Sequence, residues 1–102
     1  MLKWRLVEEA QADIGNIRSF TKQQWGTVQS TQYLRDIRKK IELLAQNPDI
    51  GIDRSEELSK GMRSAFVGSH AIYYKCDSKT LIVYAILHQS MIPSAHLLPK
   101  QD

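Results

Sequence analysis

Three histidines, one arginine and one cysteine are the side chains of this 102-residue chain whose chemistry has to be considered first. A metal site would need His70, His88 and His96 to converge with carboxylates, yet no HxH or HxxxH spacing is present and the nearest acid in sequence is Asp77. No metal or other cofactor is therefore expected, and the histidines read as polar residues at strand ends. His88 closes an apolar run, where a side chain leaves the sheet edge and can reach a partner; a hydrogen-bonded strand terminator is the equal alternative. Arg63 begins a strand two residues after Gly61, and its planar fork could meet a carboxylate or phosphate. The preferred reading of Arg63 is structural, either stacking on Tyr74 or pairing with an acid of the preceding loop. Cys76 stands beside a turn with Lys75 its only adjacent cation, no GxSxG elbow exists, and the five glycines are scattered. These residues offer no self-contained catalytic constellation.

The elements that must position them follow from hydrophobic period. Leu2, Trp4 and Leu6 alternate with Lys3, Arg5 and Val7, which predicts a short strand. From Glu8 the period changes: Ala10, Ile14, Ile17 and Thr21 gather on one side of a helix whose start carries Glu8, Glu9 and Asp13, favourable at the positive end of the helix dipole. Trp25-Gly26 ends it. Leu34, Ile37, Ile41, Leu44 and Ala45 form the apolar stripe of a second helix, and Asn47-Pro48 stops that one. Asp49 to Lys60 shows no period and reads as a loop or a short helical turn. A two-residue type II′ turn at Gly68-Ser69 then predicts a hairpin with Val67 opposite His70, Ala65 opposite Ile72 and Arg63 opposite Tyr74. Both hairpin faces are partly apolar, so the pattern leaves open which one meets the helices. Asp77-Ser78-Lys79 turns the chain into Leu81 to Leu87, an unbroken apolar run that predicts a central strand. The expected architecture is one α+β domain over residues 1 to 102: an N-terminal strand, an α-hairpin, then a three-stranded antiparallel meander.

Composition narrows the class further. Fourteen Lys and Arg against eleven Asp and Glu give a net charge of +3 and a pI near 9.1. That is basic but short of a dedicated nucleic-acid binder, and the excess is spread, with eight bases and six acids in residues 1 to 50 and six and five thereafter. Arg35, Arg38, Lys39 and Lys40 could touch phosphates, although a basic outer helix face is usually just solvated. One cysteine excludes an internal disulfide. Neither a signal sequence nor an apolar run long enough to span a bilayer is evident, so a cytoplasmic protein with no membrane partner is expected.

Taken together, A-x-x-D-I-x-x-I at Ala10 to Ile17, W-G at Trp25-Gly26, L-A-x-N-P at Leu44 to Pro48, G-x-R at Gly61 to Arg63, V-G-S-H-x-I-Y-Y at Val67 to Tyr74 and I-L-H-x-x-M-x-P at Ile86 to Pro93 resemble the RelE/ParE superfamily of bacterial toxins, in its ParE branch. The resemblance covers nearly the whole chain and implies the β-α-α-β-β-β fold that the periods give independently. RelE-type members cut mRNA on the ribosome with basic groups on the first two meander strands and at the end of the last strand. Here the corresponding strand positions are Met62, Ser64 and Ala71, none of them a cation, and Arg63, His88 and His96 are the polar residues that remain. ParE-type members bind DNA gyrase and block replication, which needs a shaped surface and no catalytic group. The resemblance thus implies the toxin of a type II toxin–antitoxin pair, with no catalytic residue and with His88, Met91, Ile92, Pro93, His96 and Leu97 as the target-binding surface. Its expected partners are gyrase and a cognate antitoxin, with operator DNA reached only through the antitoxin complex. Apolar grooves between helices and sheet would take an amphipathic helix or an added strand of that antitoxin. The alternatives are a ribosome-dependent mRNA endonuclease using Arg63, His88 and His96, and an inactive relative that binds only antitoxin and operator.

Overall fold

The alternation at the N-terminus forms strand β1 (Lys3–Leu6), and the change of period at Glu8 starts helix α1 (Glu8–Trp25). Glu8 and Glu9 lie in its first turn and Lys22 in its last, so side-chain charge opposes the helix dipole at both ends. Gly26 alone separates α1 from α2 (Thr27–Gln46). Its φ of 87° lies in the left-handed region, and it serves both helices, its N–H donating to Lys22 O and its carbonyl accepting from Ser30 N–H. Inside this tight α-hairpin the Thr21 and Ser30 hydroxyls, both buried, bond each other at 2.6 Å. The computed structural model describes residues 1–97; the remainder of the expected domain, 98–102, lies outside the described residues.

After α2 come a 3-10 turn (Pro48–Ile50) and four further strands: β2 (Ile52–Asp53), β3 (Arg63–Val67), β4 (His70–Cys76) and β5 (Thr80–His88), followed by a short helix α3 (Pro93–Leu97). The β3–β4 hairpin has the register expected from its turn, with Val67 opposite His70, Ala65 opposite Ile72 and Arg63 opposite Tyr74. Gly68 has φ 55°, and among the described residues no non-glycine has positive φ, the combination a type II′ turn requires. A Cβ at Gly68 would also meet the ring of Tyr33.

The sheet order is β1-β5-β4-β3-β2. The meander is antiparallel as expected, but the whole sheet is mixed, because β1 joins parallel to β5 with Trp4 opposite Leu81 and Leu6 opposite Val83. It also has one strand more than expected. β2 lies in the stretch read as a loop and pairs only Ile52 with Ser64 and Asp53 with Arg63, too short a segment to show any alternation.

Both sheet faces are covered. Ala65, Ile72, Tyr74, Leu81, Val83 and Ile86 pack against Ala10 and Ile17 of α1 and Ile37, Ile41, Leu44 and Ala45 of α2. On the opposite face Met62, Ala71, Tyr73, Ala85 and Leu87 pack with Leu58 from the loop and Leu97 from α3. A bulge lets β5 serve both. Tyr73 lies opposite Ala85 but Tyr74 opposite Val83, so Tyr84 is left over and the alternation slips by one. The slip sends Ile86 to the same side as Leu81 and Val83.

Tyr74 fixes the end of the sheet remote from the hairpin turn. Its ring is fully buried, and its hydroxyl accepts from Gly51 N–H at 3.0 Å and donates to Pro48 O at 2.6 Å. Burial raises the phenol pKa, with the Gly51 bond acting in the other direction. Replacing Tyr74 with Phe would leave both backbone groups without their partner. Urea unfolding is expected to show a loss of about 1–3 kcal/mol, and a change below a few tenths would mean that water replaces the hydroxyl.

Candidate functional site

The end of β5 is where the polar residues come closest together. The chain leaves the strand through a turn in which Gln89 N–H donates to Ser69 O and Met91 N–H to His88 O. Pro93 then opens α3, where its fixed φ suits a first helical turn and its missing N–H costs nothing. This tail folds back so that Leu97 reaches the lower face of the sheet, while Met91 and Ile92 stay 46% and 67% exposed. His96 is also exposed.

His88 is half-buried, and its Nδ1 accepts from Ser90 N–H at 3.1 Å with the Ser90 hydroxyl at 2.8 Å. Its proton therefore sits on Nε2. His70, directly opposite in the ladder and 7% exposed, meets the His88 ring edge-on at 5.3 Å between centroids. The His70 Nδ1 lies 2.6 Å from Tyr33 Oη, which donates its one proton to Val67 O at 3.0 Å. His70 Nδ1 must then be the donor to Tyr33, which fixes the opposite tautomer to that of His88. Tyr33 in turn takes the edge of Trp25 at 5.5 Å, so an aromatic row runs from the α-hairpin to the end of β5.

Asp13 supplies the acid. β1 stops at Leu6, and after Val7 N–H donates to Val83 O the adjacent edge of β5 is left to α1. There Asp13 Oδ2 accepts from Ile86 N–H at 2.9 Å. Burial raises the pKa of this carboxyl, opposed by the Ile86 bond and by the charge of His96 and reinforced by Glu9. Asp13, Asn16, Ile17 and Phe20 of α1 face Ile86, His88, Ser90 and Met91 across a cleft of about 390 Å³. The cleft is apolar along its walls and polar at a few points, suited to gripping a side chain.

The structure brings His88 and His96 to the neighbourhood of Asp13 but does not bring Arg63 there. Arg63 pairs with Tyr74, four residues along β4 from His70, or about 13 Å at strand rise. Its guanidinium donates to Gly51 O at 2.7 Å and stands 3.8 Å from the exposed Asp49 carboxylate, bracing the Pro48–Gly51 turn. Met62, Ser64 and Ala71 are buried, and Arg54 from the preceding loop donates to Ser64 Oγ at 2.9 Å and to Glu57 at 2.8 Å. A cation thus does reach that face, already held by two partners. Among the described residues no three His, Cys, Asp or Glu side chains converge as metal ligands. Cys76 is exposed and its thiol pKa is raised, chiefly by desolvation, the reverse of an activated nucleophile. No helix among the described residues is long and apolar enough to cross a membrane.

Sequence reasoning missed Asp13, Tyr33 and Arg54 as site residues. Two left a signal: Asp13 falls between Ala10 and Ile17 at spacings of three and four, and Tyr33 precedes Ile37 by four, so each lies on its helix's core-facing stripe. Arg54 left none, since its loop has no period.

Burial first, and the neighbouring His88 second, lower the pKa of His70 from 6.5. The unfolded chain therefore takes up this proton before the folded one, and stability falls as pH drops below about 6.5, until the folded group also titrates. Unfolding measured at about pH 7.5 and about pH 5 should show a smaller acid-side loss for His70→Gln than for the parent. Equal losses would place the acid sensitivity elsewhere.

A family model described as the ParE toxin of the type II toxin–antitoxin system parDE matches residues 5–93. The toxin ParE1 of Caulobacter vibrioides is 36% identical over 97 residues, covering 95% of this chain and 99% of its own. The toxin ParE1 of Mycobacterium tuberculosis is 36% identical over 90 residues, covering 87% and 91%, and the toxin ParE of Escherichia coli is 30% identical over 92, covering 89% and 88%. A chain of the chromosomal ParDE toxin–antitoxin system from P. aeruginosa superposes with a TM-score of 0.73 at 19% identity, over 86% of this chain and 96% of its own, which is a likeness of fold. The chain therefore belongs to the ParE toxin family of type II toxin–antitoxin systems.

Proposed function

We propose that this ParE-family toxin acts by binding DNA gyrase in the cytoplasm and blocking replication, without catalysis of its own, until a cognate antitoxin neutralises it. The observation that carries the reading is membership of the ParE family over residues 5–93. The site supports it through what it offers: an exposed apolar ledge, Met91 and Ile92, beside a cleft closed by His88. Pro93 holds the ledge at the start of α3, and Leu97 anchors that helix to the lower core while His96 stays at the surface. An apolar ledge rimmed by polar groups is how a protein surface prepares for a partner rather than for a small substrate. The endonuclease alternative finds less support, because Arg63 is remote from His88 and bound to the Pro48–Gly51 turn.

Purified toxin added to a gyrase supercoiling assay is expected to inhibit and to accumulate broken DNA. No inhibition at large molar excess would reject the target, and ribosome-dependent mRNA cleavage by the parent protein would establish the alternative. A Met91→Glu/Ile92→Glu double variant changes only exposed side chains, so the fold should survive. Inhibition is expected to fall by about tenfold or more, the loss of two anchors at over 1 kcal/mol each. Unchanged inhibition would remove the ledge from the interface.

A further inference from the structure

The His88 cleft holds hydrogen-bond acceptors that the rest of the chain leaves unused. Asp13 commits Oδ2 to Ile86 N–H, and among the described residues Oδ1 has neither a hydrogen bond nor an ion pair. His70 is 7% exposed, its ring lines the cleft, and its Nδ1–H is committed to Tyr33. Nε2 is then an acceptor with no partner among the described residues, and burial, which lowers the pKa, keeps it unprotonated at neutral pH. The Asn16 amide and the Ser90 hydroxyl add further acceptor oxygens.

No lysine or arginine lines this cleft. Arg18, the cation of α1 nearest to Asp13 in sequence, looks instead into the β1 groove, a concavity of about 440 Å³ lined also by Trp4, Leu6 and Ile14. Glu9, one turn before Asp13, deepens the negative field, and His96 opposes it from the surface of α3. Ile17, Phe20, Ile86 and Met91 form apolar walls, and Met91 continues into the exposed ledge with Ile92. His88 Nε2–H is a donor, but an anion that took it would lie beside the Asp13 carboxylate.

A carboxylate and an imidazole nitrogen between apolar walls call for a ligand with a positive charge, divergent donors and an alkyl stem. A guanidinium meets all three, because its planar fork donates to two acceptors at once while the methylenes cover the walls. An ammonium offers the charge without the fork. We infer that the cleft is a binding site for an arginine side chain of the target protein, its guanidinium bridging Asp13 Oδ1 and His70 Nε2 and its stem lying between Phe20 and Met91. The inference rests on the proposal that this end of the molecule grips a protein target, and the chemistry of the site can be tested without that protein.

The test titrates the isotope-labelled full chain with n-butylguanidinium and, separately, with n-butylammonium, and measures gyrase affinity for the parent, Asp13→Asn and Asn16→Arg. In Asp13→Asn the amide oxygen can still accept from Ile86 N–H, so the fold is kept while the charge is lost. Asn16 is exposed, and Asn16→Arg sets an internal cation three residues from Asp13, a pairing that helices favour. The Ile86 amide of the parent is expected to shift saturably with butylguanidinium, and butylammonium to bind about fivefold or more weakly. Both variants are expected to bind butylguanidinium and gyrase about tenfold or more weakly than the parent. No saturable shift in the parent, or equal affinity for the two probes, overturns the assignment to arginine. Probe binding lost in both variants with gyrase affinity unchanged overturns the use of the cleft by the target. A parent that binds the probe as expected but does not bind gyrase supports the arginine site and rejects only gyrase.

Discussion

Strand β5 buries side chains on both of its faces. β4 pairs along one of its edges and β1 along the first half of the other, Leu81, Val83 and Ile86 lie under the helices, and Ala85 and Leu87 lie on the opposite face. Each large aliphatic side chain so covered contributes roughly 1.5–3 kcal/mol, a large share of what a domain of this size retains in net stability. One helical layer cannot cover both faces, which explains why the loop after α2 and the tail after β5 turn inward at Leu58 and Leu97. The bulge at Tyr84 reconciles the two demands, since a strict period of two would have sent Ile86 away from the helices.

The same constraint creates the cleft. Because β1 is only four residues long, it shields the first half of β5 and stops, and α1 must satisfy the backbone beyond it. A side chain that accepts from Ile86 N–H has to be a hydrogen-bond acceptor on the buried face of a helix, and Asp13 meets that need at the cost of partial desolvation. His70 is held in an analogous way, with Tyr33 of α2 supplying the partner that its buried Nδ1 requires. The polar groups beside the proposed target surface are therefore first of all solutions to where β5 runs out of neighbours.

This explains which parts were legible in the chain alone. The helices were, because their stripes repeat over about three turns each, and so was the hairpin, because Gly68-Ser69 fixes both the turn type and the register. The lower core was not, since Leu58 and Leu97 are single apolar residues in segments without a period. The parallel addition of β1 was equally hidden, as nothing in Leu2, Trp4 and Leu6 states which edge they join. Of the candidate site, the place of His88 at the end of the last strand and of Met91 and Ile92 just after it was legible. Asp13 was concealed by its part in the helix dipole, and Tyr33 by standing one place before the stripe that begins at Leu34.

Helix α1 is a partition as well as a cover. Ile14 and Arg18 look into the β1 groove, while Asp13 and Ile17, one residue removed from each, look into the cleft at His88. Any tilt or slide of this one helix alters both concavities at once, because packed cores transmit strain. Thermodynamic reciprocity then applies: whatever free energy a ligand in one groove imposes on the other is returned in full when the order of binding is reversed. A partner held at the His88 end and an occupant of the groove lined by Trp4, Leu6, Ile14 and Arg18 would each change the other's affinity by one and the same factor.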